Sequence, residues 1–199
     1  VGTQMIAKGL DFPNVTLVGV VNADVGLHLP DFRSAERTFQ LLAQVAGRAG
    51  RGEKGGLVLV QTFTPDHPCI TLASHHNYGE FAKLELVHRK AHGYPPFERM
   101  ARLIVRSEKE DAACAFADTL AGAFKEAMKP GVGRKPSAVR LLGPAECPVF
   151  KLNNFYRFHF QLQSDSSASL HDILRTVLAV AKPPSGVEFQ VDIDPYSML

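Results

Sequence analysis

The chain has 199 residues, 45% of them hydrophobic and 21% charged, and a formal net charge of +2. That length allows one large or two small domains, and that balance excludes a disordered or low-complexity chain. A charge of +2 is too small to identify a nucleic-acid-binding protein by itself, and no apolar run reaches transmembrane length.

Residues 1–12 read as loop and helix-end sequence around one turn. A hydroxyl at Thr3, a free backbone near Gly9 and an acid at Asp11 could contact phosphate and ribose. Residues 15–21 are apolar and β-branched, which predicts a strand buried on both faces, as in a parallel α/β sheet. Residues 22–31 read as loop, with Asp24, Gly26, Pro30 and Asp31 as turn residues. Ser34 is placed to cap a helix through Val45, in which Ala35, Phe39, Leu42 and Val45 keep near-helical spacing. Residues 57–63 predict a second buried strand, so the order strand, helix, strand follows the logic of a parallel sheet. Pro68 in a first turn predicts one helix running toward Lys90. His88 and His92 lie four apart in it, but no third ligand stands at sensible spacing, so no metal site is expected. Cys69, Cys114 and Cys147 are too few and too scattered for a disulfide framework or a zinc site, and read as reduced thiols. With no signal peptide, the protein is expected to be cytoplasmic and to have no membrane partner.

Between the first helix and the second strand lies Gln44-Val45-Ala46-Gly47-Arg48-Ala49-Gly50-Arg51. On helical geometry Arg48 and Arg51 project from roughly one face. The two glycines cost about 1 kcal/mol each in helix propensity; what they permit is close backbone approach. Two planar cations so placed bind phosphate oxygens bidentately, and aimed at a transferring phosphoryl group they act as arginine fingers.

Residues 93–97 break the chain and mark a domain boundary. A strand at 101–105 follows, then a helix at 112–128 with Phe116, Leu120, Phe124 and Ala127 on one face. Residues 130–136 are a loop rich in Gly, Pro and basic residues. Residues 139–142 and 149–150 are strand candidates, 155–163 a clear strand, 169–181 a helix and 187–193 a last strand. This order suggests a ferredoxin-like α+β unit. From Lys125 to Arg157 seven basic residues oppose two acids, Glu126 and Glu146, a local charge of +5. Alternation puts Tyr156, Phe158, Phe160 and Leu162 on one side and Arg157, His159, Gln161 and Gln163 on the other. Helices are expected to cover the apolar side and leave the polar side open. There Arg157, His159 and Gln161, beside Lys151, could lie along a nucleic-acid backbone; an ordinary solvated face is the alternative. The aromatic residues fall on the core side, so a base-stacking platform is not expected.

Gly2-Thr3-Gln4-Met5-Ile6-Ala7-Lys8-Gly9-Leu10-Asp11 resembles helicase motif V, and Gln44 to Arg51 resembles motif VI of superfamily 2 helicases. Three further strings are Asp31-Phe32-Arg33-Ser34-Ala35-Glu36-Arg37, Tyr94-Pro95-Pro96-Phe97 and Asp192-Ile193-Asp194-Pro195. Together, essentially end to end, they resemble the C-terminal part of the bacterial primosomal protein N-prime (PriA) family of replication-restart helicases. The resemblance implies ATP hydrolysis coupled to 3′-to-5′ movement on DNA, recognition of stalled forks and recruitment of the primosome. It implies that residues 1–66 end the second RecA-like lobe, that 67–97 connect, and that 98–199 form the C-terminal domain. That domain is implicated in contact with branched or single-stranded DNA and in binding single-stranded-DNA-binding protein. By motif position Arg48 and Arg51 would reach the γ-phosphate of ATP, Arg51 being the stronger candidate for the finger, and Gln44 would sit at the nucleotide cleft. Thr3 would contact DNA phosphate, while Gly9 and Asp11 would link DNA contact to nucleotide state.

The sequence also departs from the family pattern. It holds no G-x-x-x-x-G-K-[ST], no Asp-Glu box for Mg2+ and no cysteine cluster of the family's zinc insertion. The first RecA-like lobe, the zinc module and the N-terminal DNA-binding domain are thus expected to belong to a longer parent. An arginine finger without the nucleotide's main cradle stabilises nothing, so this chain alone is not expected to hydrolyse ATP. The alternative to an enzyme part is a non-catalytic module that holds DNA or a partner protein, or merely braces the helicase lobes.

Overall fold

In the computed structural model residues 15–47, 56–129 and 138–199 are described. They fall into two compact units, one ending at His88 and the other spanning Arg89–Leu199. Thr3, Gly9, Asp11, Arg48 and Arg51 lie outside the described residues, as do Arg134 and Lys135.

The first unit contains β1 (Leu17–Val20), α1 (Asp24–Leu27), α2 (Ser34–Ala46), β2 (Leu57–Val60), α3 (Pro68–Ser74) and most of α4 (Tyr78–His92). β1 and β2 pair in parallel, Leu17 opposite Leu57 and Val20 opposite Val60, as the order strand, helix, strand anticipates. They are not buried on both faces. Val20 and Val60 pack against a cluster that includes Leu27, Phe39, Leu42 and Ile70, while Leu17, Leu57 and Leu59 on the other face stay 55–57% exposed. The apolar runs identify strands, but burial of the second face needs a second layer that the described residues do not supply.

Two more expectations are corrected. Residues 24–27 form a single helical turn within the expected loop. The helix expected from Pro68 toward Lys90 is two helices, because the chain turns at His76, with φ +51°. The amide of His76 donates to the Ala73 carbonyl and that of Asn77 to the Leu72 carbonyl, a Schellman ending that satisfies the last carbonyls of α3. The Asn77 side chain then accepts from the Glu80 amide and starts α4.

The second unit contains β3 (Arg99–Ser107), α5 (Glu110–Met128), β4 (Arg140–Leu152), β5 (Phe155–Ser164), α6 (Ser167–Leu178) and β6 (Val187–Ile193). The sheet order is β4-β5-β3-β6 with every neighbour antiparallel, the split-βαβ connectivity. Both helices pack on one sheet face. Leu103 and Val105 of β3 and Phe158, Phe160 and Leu162 of β5 meet Phe116, Leu120 and Phe124 of α5 and Leu170 and Leu174 of α6. Phe124 meets Phe160 edge to face at 5.7 Å, which adds about 0.5–1.5 kcal/mol to the burial of the two rings.

β4 is one long strand rather than two short ones. Its register shifts between Leu142 and Ala145, and again between Glu146 and Lys151, bend it along β5. Gly143 sits at φ +102°, and a Cβ there would lie 3.0 Å from the His159 carbonyl oxygen, so only glycine fits. Asn153 and Asn154, at φ +51° and +69°, close the β4–β5 hairpin with the two left-handed residues of a type I′ turn.

Candidate nucleic-acid interface

In the first unit the polar chemistry gathers at the carboxyl ends of β1 and β2, where open parallel sheets hold their ligands. Asp24, 7% exposed, follows β1. It accepts from the Phe63 amide at 2.9 Å, from Thr62 Oγ1 at 2.8 Å and from Thr64 Oγ1 at 2.9 Å, all just after β2. The Phe63 amide foremost, helped by the two hydroxyls and opposed by burial, holds the Asp24 carboxyl below its ordinary value. The sequence alone shows Asp24 as a turn residue. The signal for more is an Asp after one strand matched by Thr-x-Thr after the next.

Asp31 does comparable work at the start of α2. Its carboxylate accepts from the Arg33 amide at 2.9 Å and from Arg37 Nη1 at 2.8 Å. Gln44 lies exposed in the last turns of α2, and Gly47 ends that helix by donating to the Ala43 carbonyl at 3.0 Å.

In the second unit the four expected DNA-contact residues do not share one open face. Lys151 stands directly opposite Tyr156, on the side the helices cover, with Nζ 4.3 Å from the centroid of that ring and 3.1 Å from its hydroxyl. Arg157, His159 and Gln161 lie on the opposite side, and there the expected open face is partly closed. Gln163 is 1% exposed and accepts from Arg140 Nη2 at 2.6 Å.

What closes it is the end of the chain. Asp194 turns at φ +50°. It is pinned by its amide on the Met100 carbonyl at 2.7 Å, by the Met100 amide on its carboxylate at 3.2 Å and by Arg99 at 3.3 Å. Pro195 and Met198 are thereby buried. Beneath them Arg102, 1% exposed, donates from Nε to His159 Nδ1 at 3.1 Å and from Nη1 to the carbonyls of Ser197 and Leu199 at 3.4 Å each. Its Nη2 reaches Cys147 Sγ at 3.8 Å. The alternation could not show this, because residues 194–199 carry no apolar pattern that marks them as a cover.

The electrostatics follow from that cover. Burial, then the charges of Arg102 and Arg157, push the His159 imidazole down to about 4, so it stays neutral at pH 7. Accepting through Nδ1 requires its proton on Nε2. Burial also raises the Cys147 thiol, against the pull of Arg102 and Arg157. His159 is therefore a structural acceptor, not a cation for phosphate.

Toward the hairpin the same face is accessible. Arg106 and Arg157 stand directly opposite each other on β3 and β5. Arg106 donates to Glu188 Oε2 from Nε at 2.9 Å and Nη2 at 2.6 Å, and its guanidinium lies 5.0 Å from the Phe155 ring centroid. Arg157 donates to the Val149 carbonyl alone among the described residues, at 3.3 Å. Among the described residues Arg37, Arg99, Arg106 and Arg140 each pair with a carboxylate, whereas Lys151 and Arg157 pair with none. Phe155 and Arg106 extend the expected set, since alternation continued by one step puts Phe155 beside Arg157. Among the described residues no group of three or more His, Cys, Asp or Glu is arranged to hold a metal, and no helix is long and apolar enough to cross a membrane.

Comparison with known proteins adds an independent line. Residues 90–196 match the family model of the primosomal protein N C-terminal domain. The chain is 42% identical over 201 residues to the replication restart protein PriA of Bacillus subtilis, covering 100% of this chain and 24% of that protein. It is 41% identical to the PriA of Treponema pallidum (100% and 29% covered) and 37% identical to that of Chlamydia pneumoniae (98% and 25% covered). The chain thus spans about a quarter of the length of these relatives and matches their C-terminal part.

Proposed function

This chain belongs to the family of the primosomal protein N C-terminal domain, and from that premise we propose that it is the C-terminal part of an ATP-dependent 3′-to-5′ DNA helicase that restarts replication at stalled forks and assembles the primosome. The likeness of the whole chain, at 37–42% identity, to proteins named for replication restart carries this reading. In it residues 1–66 close a RecA-like lobe. Arg48 and Arg51 reach the γ-phosphate, Gln44 lines the nucleotide cleft, and Gly9 and Asp11 couple that cleft to Thr3 on DNA phosphate. ATP and Mg2+ are held mainly by other parts of the longer protein, as is any zinc. Single-stranded-DNA-binding protein and primosome components are the protein partners of this reading.

Within the chain, the second unit contacts DNA phosphate through the hairpin end of its sheet. The supporting observation is that Arg157 and Lys151 are cations without carboxylate partners there. A salt series of fluorescence anisotropy with single-stranded and forked DNA tests it. Each phosphate neutralised contributes about 0.7 to the slope of log K against log salt on single strands and about 0.9 on duplex, so Arg157→Ala should lower affinity and flatten the slope by about one such step. A variant that binds as tightly, with the same slope, refutes the assignment. The second reading, a bracing or protein-docking module, is favoured by the buried Arg102 and the chain end that close the rest of the polar face. It predicts no salt-dependent DNA binding. As for catalysis, this chain by itself should show no DNA-stimulated ATP hydrolysis, and turnover abolished by Arg51→Ala would overturn that.

A further inference from the structure

The two-residue turn at Asn153-Asn154 makes Phe155 the first residue of β5. Phe155, Arg157 and His159 share one face of β5, and Arg106 opposes Arg157 across the β3–β5 pair. Like charges directly opposite each other on a sheet face destabilise it. Among the described residues one carboxylate, Glu188, serves this arginine pair, and it bonds Arg106 alone. The half-buried Phe155 ring borders the pair, with the Arg106 guanidinium 5.0 Å from its centroid. An anion between two guanidiniums, beside an aromatic surface that stacks planar groups, is the chemistry of one nucleotide of an unpaired strand.

We propose that Phe155, Arg106 and Arg157 form a subsite for one nucleotide of single-stranded DNA, with its base on the Phe155 ring and its phosphate at the two arginines. The inference rests on the proposed DNA contact of this unit and adds to it a base contact, hence a preference for unpaired over duplex DNA. A duplex presents its phosphates to the arginines but keeps its bases stacked within the helix.

The test uses the full chain, a fluorescein-labelled oligothymidine and an abasic oligodeoxynucleotide of equal length. The variants are Phe155→Ala and Phe155→Leu, the latter keeping apolar bulk at the turn while removing the π face. A stacked base is worth roughly five- to 150-fold in affinity. Both variants should therefore weaken oligothymidine binding at least about fivefold and leave abasic binding within about twofold, and wild type should prefer oligothymidine. Equal binding of the two oligonucleotides by wild type, with Phe155→Leu changing neither and Arg157→Ala weakening both, overturns the base contact and leaves the phosphate contact standing. No binding of either oligonucleotide at low salt overturns the DNA reading and the subsite with it.

Discussion

Arg102 offers the sharpest quantitative test of how the second unit is held together. Arg102→Ala removes two buried methylenes, worth about 1.6 kcal/mol at about 0.8 each. It also strips His159 Nδ1 of its 3.1 Å donor, and leaving a buried acceptor unsatisfied costs about 1–3 kcal/mol. The two chain-end carbonyls at 3.4 Å sit at the limit of useful hydrogen-bond geometry and add little. The two together come to about 2.5–4.5 kcal/mol. Arg102→Met restores most of the stem volume and removes a buried cation. It leaves the same His159 acceptor without its donor, so the methionine variant should keep that cost of about 1–3 kcal/mol and be spared the methylene loss of about 1.6 kcal/mol. Urea-dependent hydrogen exchange of the β3 and β5 segments reads both numbers, and exchange at residues 195–199 should quicken in both variants as the chain end loses its anchor. An alanine variant within about 0.5 kcal/mol of wild type, the range of ordinary surface substitutions, would refute this account. So would a methionine variant as costly as the alanine one.

Three further outcomes can be checked. His159 titrates at about 4 in the folded chain against an ordinary value of 6.5, so the unfolded state binds the extra proton between those values. Stability from this group is then complete above about pH 6.5 and is lost as pH falls toward 4, by about 1–2 kcal/mol after solvent screening at a half-buried site; denaturant titrations of wild type and His159→Gln from pH 4.5 to 7 should show the slope in wild type only. Asp24 has the opposite sign. Its carboxyl is held below its ordinary value, so its contribution is present above that value and lost in acid, and Asp24→Asn should destabilise the first unit at pH 7 while flattening its acid limb below pH 4, read by hydrogen exchange of β1 and β2. Glu188→Gln frees Arg106 from its only ion pair among the described residues, and because exposed pairs are worth about 0.2–1 kcal/mol it should tighten oligothymidine binding by up to about fivefold in the anisotropy assay; weaker binding would show that Glu188 positions Arg106 instead of competing for it.

Much of this architecture is legible from local pattern. Period-2 alternation in residues 155–163 assigns Phe158, Phe160 and Leu162 to the core, where they are found, because side chains on a strand can point only two ways. Helical spacing finds Phe116, Leu120 and Phe124 on α5 for the same kind of reason. The family-specific strings are legible as recurring words, yet their physical roles are not. In the string from Asp31 to Arg37 the acid ties the Arg33 amide and the Arg37 guanidinium at the start of α2, and Asp194 is the pin that turns the chain end back onto the sheet. Thr62 and Thr64 read as ordinary residues past a strand until Asp24, 38 and 40 positions earlier, is seen to need their hydroxyls.

The sequence by itself determined the split-βαβ connectivity of the second unit and the helix-facing half of its core, since these rest on periodicity within single segments. It also determined the family, through strings that survive as strings. Only the tertiary structure decided which polar groups meet water. Whether His159 is a surface base or a half-buried acceptor depends on residues 194–199 folding back over Arg102, a contact between segments far apart in the chain. The sign of a polar face, open or closed, is set by what lands on it, and no periodicity within a strand encodes its cover.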